Sequence, residues 1–174
     1  SILFSGAETG SISLQSAGNI VFTDVVTNQI GNTTVTSTAG SILTDSVQVQ
    51  LSTDVTSLAA RGGSISGVEG AFRLDQTATG ALTLEARDNI IVSEMNGNMN
   101  LVSATATGTS SALNTASSGN VVLTAQMSIL QAGSGSVTGT NINLTATEGA
   151  LGADGMLFRV NTVGKGRLTA LAKG

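Results

Sequence analysis

The sequence predicts an all-β chain, a right-handed parallel β-helix (β-solenoid) of about eight rungs, and three observations carry that prediction. One seven-residue phrase recurs six times: small residue, spacer, apolar, spacer, apolar, spacer, small residue. The copies start at positions 10, 31, 80, 97, 119 and 140, with three steps of 21 or 22 residues and one shorter step of 17. A constant period in the range of ~20–50 residues marks stacked supersecondary units. Finally, the apolar residues are nearly all aliphatic, and the 174 residues contain no Pro.

The phrases justify the strands in chain order. Ser1-Ile-Leu-Phe4 reads as an opening strand. In Gly10-Ser-Ile-Ser-Leu-Gln-Ser16 apolar and polar residues alternate, so one face points inward and the other to water. The turn residues Gly18 and Asn19 then lead to a second short strand at Ile20. Gly31-Asn-Thr-Thr-Val-Thr-Ser37 repeats the pattern and reaches Ile42 with one residue inserted. Leu58, Ala60 and Ile65 take the places of Val35, Ser37 and Ile42 in a degenerate rung. Gly80-Ala-Leu-Thr-Leu-Glu-Ala86 runs on to Ile90, and Gly97-Asn-Met-Asn-Leu-Val-Ser103 adds a further copy. Gly119-Asn-Val-Val-Leu-Thr-Ala125 continues to Ile129, and Thr140-Asn-Ile-Asn-Leu-Thr-Ala146 to Leu151. The end, Thr169-Ala-Leu-Ala-Lys-Gly174, echoes the stretch from Thr56 to Gly62.

Sandwich hairpins do not repeat one sequence at one phase, whereas stacked turns of a solenoid do. Ile12, Leu14, Val35, Leu82, Leu84, Leu101, Leu123, Ile142 and Leu144 are therefore expected to line one continuous interior, each at the equivalent phase of the repeat. Residues 1–174 read as a single solenoid segment, part of a longer chain or fibre, with no stretch left for another domain.

Composition narrows the function. Hydrophobic residues make up 40 %, yet there is no Trp or Tyr and only 4 Phe, which suits a narrow aliphatic core. Charged residues are 10 %, against ~25 % in ordinary domains. The 22 Gly, with Ser, Thr and Asn, supply turns and a hydroxyl-rich surface. A mean hydropathy of +0.29 and strict alternation argue against disorder. With no Cys and no His, a disulfide framework, thiol chemistry and the commonest transition-metal ligands are excluded, and no cofactor or metal is expected. A net charge of −4 disfavours nucleic acid. No apolar run approaches the ~20 residues of a membrane span.

Gly119-Asn-Val-Val-Leu-Thr-Ala125, Asn141-Ile-Asn-Leu-Thr-Ala146 and Glu148-Gly-Ala-Leu-Gly152 resemble the repeat region of filamentous-haemagglutinin-like bacterial exoproteins. That resemblance covers nearly the whole chain. It implies a right-handed β-helix shaft, secretion to the bacterial surface, and work in adhesion or surface architecture. The family's amino-terminal secretion domain is not recognisable in this sequence.

β-Helix enzymes that act on polysaccharides need clustered carboxylates. The tightest acidic set is Glu85, Asp88 and Glu94, with Arg87 between, and its positions read as a solvated turn. Asp45 and Asp154 occupy matching places in a longer repeat and read as turn caps, not calcium ligands. Thr-x-Thr pairs at Thr36/Thr38, Thr77/Thr79, Thr105/Thr107 and Thr145/Thr147 raise ice binding, but they are not repeated in every rung. Asn19, Asn32, Asn89, Asn98, Asn120 and Asn141 recur beside turns, where stacked amides bond along a solenoid. Arg159, Lys165, Arg167 and Lys173 gather four of the 7 basic residues near the end, a candidate partner-facing patch.

The expectation is a non-enzymatic, secreted or cell-surface β-helix shaft. A self-assembling extracellular filament subunit and a carbohydrate-active β-helix enzyme are its rivals. Expected partners are neighbouring rungs of the same parent chain, end-to-end copies, or surface glycans and proteins. Neither end carries a polar cap, so further rungs or another copy are expected to cover the exposed strand edges.

Overall fold

The structure, a computed structural model, describes residues 2–3, 10–45, 47–48, 51–67, 70–108, 119–153, 156 and 158–173. In chain order the strands are β1 (Ile2–Leu3), β2 (Ser11–Ser16), β3 (Ile20–Phe22), β4 (Val26–Ser37), β5 (Ile42–Thr44), β6 (Leu51–Ala60), β7 (Ile65–Gly67) and β8 (Phe72–Ala86). They continue as β9 (Ile90–Glu94), β10 (Met99–Ala106), β11 (Val121–Ala125), β12 (Ile129–Gln131), β13 (Val137–Gly139), β14 (Ile142–Ala146), β15 (Val160–Thr162) and β16 (Leu168–Ala172). Every pairing among them is parallel. No connection joins these strands as hairpins, so the chain winds as stacked coils: an all-β solenoid.

The registers place Ile20, Ile42, Ile65, Ile90, Val121, Ile142 and Leu168 one above another. Those six steps give about six turns, not eight. The overcount has a specific cause. Ala104 stacks on Leu84 at the level where Val121 stacks on Ile90, so the Gly97 and Gly119 phrases belong to one turn of the chain. Phrase-opening residues also mark any short strand between turns, on whichever face it lies.

Through the first four levels the coil has three faces. One is built by β2 and the later halves of β4, β6 and β8. Another is built by β3, β5 and β7, and the third by β1 and the opening halves of β4, β6 and β8. The degenerate rung sits as expected, with Leu58 over Val35, Ala60 over Ser37 and Ile65 over Ile42. At β9 the arrangement changes. Ile90 continues the column of Ile65, while Val92 and Glu94 lie over Phe72 and Leu74 at the start of β8. One strand thus covers two faces, and β11, β14 and β16 continue on it.

This shift corrects the assumption of equivalent phase. Leu123 stacks on Val92, not on Leu84, and Leu144 stacks on Leu123. Leu101 lies over Leu82 and Ala104 over Leu84, because a bulge at Val102 displaces the register. The expectation of one interior holds: Ile12, Val35, Leu82, Leu84, Leu101, Leu123, Ile142 and Leu144 are buried in a single core, and Leu14 packs against it half-buried. Phe22 and Phe72 meet edge to face in that core, centroids 5.5 Å apart.

Polar residues also enter the interior where the third face turns into the first. Asn28 donates through Nδ2 to Thr33 Oγ1 at 3.2 Å. Thr53 Oγ1 donates to Thr33 Oγ1 at 3.2 Å, and Thr56 Oγ1 to Thr53 Oγ1 at 3.1 Å. These bonds engage side chains that a purely aliphatic pattern would not place inside, although Asn28 Oδ1 has no partner among the described residues.

Close approach of coils decides one glycine. A Cβ at Gly31 would lie 1.7 Å from the Gly10 carbonyl oxygen, a rigid backbone atom of the adjacent coil. Gly31→Ala is expected to push the coils apart and cost roughly 1–3 kcal/mol, as overpacking does. At Gly18 an added Cβ meets nothing within 4 Å, so Gly18→Ala should stay within about 0.5 kcal/mol of the parent. Urea unfolding of the two variants side by side checks the difference.

Candidate functional site

The recurring asparagines build a ladder along one corner of the solenoid. Each side-chain oxygen accepts a hydrogen bond from the next level. Asn19 Oδ1 accepts from the Ser41 N–H at 2.9 Å, Ser41 Oγ from the Ser64 N–H at 3.1 Å, and Ser64 Oγ from the Asn89 N–H at 3.2 Å. Asn89 Oδ1 then accepts from the Asn120 N–H at 3.0 Å, and Asn120 Oδ1 from Asn141 Nδ2 at 2.8 Å. Asn141 Oδ1 accepts from the Arg167 N–H at 3.2 Å. A shorter ladder runs from Asn98 Oδ1 to the Ser128 N–H and from Ser128 Oγ to the Ala150 N–H. Asn32 stands apart from both; its backbone carbonyl accepts from Asn28 Nδ2.

Beside the upper half of the long ladder lies an open groove of about 640 Å³. Asn89, Asn120 and Asn141 form one wall. Its floor is the outward column Ile91, Val122, Asn143 and Thr169, which the registers of β9, β11, β14 and β16 stack in that order. Lys165 and Arg167, ahead of β16, close the upper end. Of these outward residues, Val122 and Asn143 are spacers in their phrases, whereas Ile91 and Thr169 fall outside the six phrases.

The four late basic residues divide. Lys165 and Arg167 line the groove, whereas Arg159 precedes β15 and Lys173 follows β16, and neither lines it. All four side chains are exposed.

The acidic set is dispersed. Glu85 points outward from β8, and Asp88 pairs with Arg87 Nε at 3.2 Å in the following turn. Glu94 is 1 % exposed, on the inward side of the Ile90–Val92–Glu94 alternation. Its Oε2 accepts from the Gln76 N–H at 2.9 Å and its Oε1 from the Asn96 N–H at 3.3 Å. Burial pushes its carboxyl up to about 7; the backbone N–H groups of Gln76, Asn96 and Met95 oppose that rise, and the Asp75 charge adds to it. A carboxyl titrating near neutrality is what an acid–base catalyst needs, but this one is enclosed and bonded to backbone. The solvated-turn reading of Glu94 is thus corrected, and its inward phase was the available signal.

The threonine pairs do not form an array. Thr36 is followed up its column by Ala59, Glu85 and Thr105, and threonine stacks directly on threonine only in isolated steps among the described strands, Thr33 with Thr56, Thr105 with Thr138 and Thr124 with Thr145. Asp45 is exposed in the turn after β5, and Asp154 lies outside the described residues. Among the described residues no group of three or more acidic side chains comes together to hold a metal ion. Compared with protein-family models, with curated proteins and with solved structures, the chain has no match.

Proposed function

We propose that the chain is a non-enzymatic β-helix shaft, secreted or displayed at a bacterial cell surface, serving adhesion or surface architecture. The observation that supports this most is the unbroken column from Ile20 to Leu168, one side chain per level, with a side-chain ladder beside it. Such stacking builds length along one axis and presents long outward faces, which suits a projecting rod. The resemblance of the phrases to filamentous-haemagglutinin-like repeats supports the surface setting. Dispersal of Glu85, Asp88 and Glu94 favours a shaft over a carbohydrate-active enzyme. The self-assembling filament reading draws on β16, which pairs only with β14 among the described strands and leaves Leu168 48 % and Leu171 54 % exposed.

Antibodies against the chain, applied to intact cells that make the natural protein, test the location. Labelling that external protease removes is expected; labelling only after permeabilisation contradicts the proposal. Electron microscopy of the purified chain separates shaft from filament, since only a filament subunit forms end-to-end polymers. Acidic and neutral polysaccharides should remain uncleaved. Turnover that disappears on replacing Glu85, Asp88 or Glu94 would move the reading to the enzyme.

A further inference from the structure

The groove beside the asparagine ladder offers hydrogen-bond donors and positive charge, and no carboxylate lines it. Asn89 and Asn120 use their Oδ1 atoms as ladder acceptors. Their Nδ2 amides have no acceptor among the described residues and remain as donors. Lys165 and Arg167 add an ammonium and a guanidinium at the upper end, with no acidic partner among the described residues. On a chain of net charge −4 this is a local reversal of sign.

We propose that this groove binds a carboxylate-bearing polysaccharide, a polyuronate strand lying along the solenoid axis. The guanidinium fork of Arg167 matches a carboxylate in two parallel hydrogen bonds, and Lys165 supplies a second cation. The two open ladder amides, Asn89 and Asn120, stand on adjacent levels ~4.8 Å apart, a step comparable to the length of one pyranose unit along its chain, while Asn141 Nδ2 is engaged by Asn120 Oδ1. An extended acidic peptide presents same-side groups every ~6.8 Å and falls out of step with that repeat. Two cations are too few to hold a nucleic-acid backbone by phosphate neutralisation. Ile91 and Val122 give the floor an aliphatic strip against which the C–H face of a sugar ring packs. The groove crosses the four levels of Asn89, Asn120, Asn141 and Arg167, a span of ~14 Å at that spacing, which seats about three sugar units.

Calorimetric titration of the full chain with tetragalacturonate tests the proposal, and it does so whether or not the chain is displayed on a cell. Binding that weakens with added salt is expected. K165A/R167A should lower affinity about tenfold or more, while R159A/K173A, which removes the two cations outside the groove, should change it less than about twofold. The methyl-esterified oligomer, with the same rings and no charge, should bind about tenfold more weakly. Circular dichroism confirms that both double variants keep the parent fold. Three results would overturn the assignment: no binding by the folded parent at low salt, equal losses in the two double variants, or a glutamate oligomer that binds as tightly as the uronate.

Discussion

Truncating Leu84 to Ala is expected to destabilise the chain by about 2–5 kcal/mol, the cost of an unfilled cavity in a close-packed core. Leu84 is 1 % exposed and stands between Leu58 below and Ala104 above. Ala104 is too small to fill the space that truncation would leave. The effect should exceed that of Leu14→Ala, because Leu14 is only partly buried at the first level of its column. Urea unfolding checks both. Equal small losses at the two positions would contradict the placement of Leu84 at the centre of the stack.

Stability is also expected to fall as pH rises from about 4.5 to about 7, and Glu94 is the reason. Burial holds its folded carboxyl protonated to about 7, while in the unfolded chain it ionises near 4.5. The folded state therefore binds more protons across that window. Its contribution is fully present below about 4.5 and is lost as pH rises to about 7. A difference of that size corresponds to about 3 kcal/mol. Glu94→Gln has nearly the same shape and no proton to lose, so it should cancel that part of the pH dependence and unfold later than the parent at alkaline pH. The relevant quantity is the difference between parent and variant at each pH, which removes the background common to both proteins. Parallel pH profiles of the two proteins would show that Glu94 is not buried.

Much of this fold was legible in the sequence. Alternation in Gly10–Ser16, Gly31–Ser37 and Gly80–Ala86 marks strands with one inward face, although the last two phrases are the later parts of the longer strands β4 and β8, and the weak match at Leu58, Ala60 and Ile65 falls where the register puts it. The asparagines beside turns do bond level to level, because an amide at a corner reaches the backbone of the next coil. The face on which each later phrase lies was not legible. A phrase reports a strand bounded by turns; its partner depends on how much chain separates it from the level below. The step from Ile90 to Val121 is 31 residues and that from Val121 to Ile142 is 21, so equal phrases need not sit at equal places.

The groove was hidden for a related reason. Its floor comes from Ile91, Val122, Asn143 and Thr169, four outward positions in four different strands. Their neighbourhood exists only after the register is known. Lys165 and Arg167 were visible as part of a basic cluster, but their separation from Arg159 and Lys173 follows from which strand each one borders.

Disulfide trapping tests the register at β9 most directly, since the chain has no cysteine of its own. Val122 stands directly over Ile91, whereas equal phase of the Gly80 and Gly119 phrases would set it over Thr83. Paired residues on adjacent parallel strands fall within the ~4.4–6.8 Å Cα separation that a disulfide spans. The account predicts rapid intramolecular oxidation of I91C/V122C and none of T83C/V122C. The reverse outcome, with Val122 trapped to Thr83, would contradict the change of faces at β9 and with it the six-turn solenoid described above.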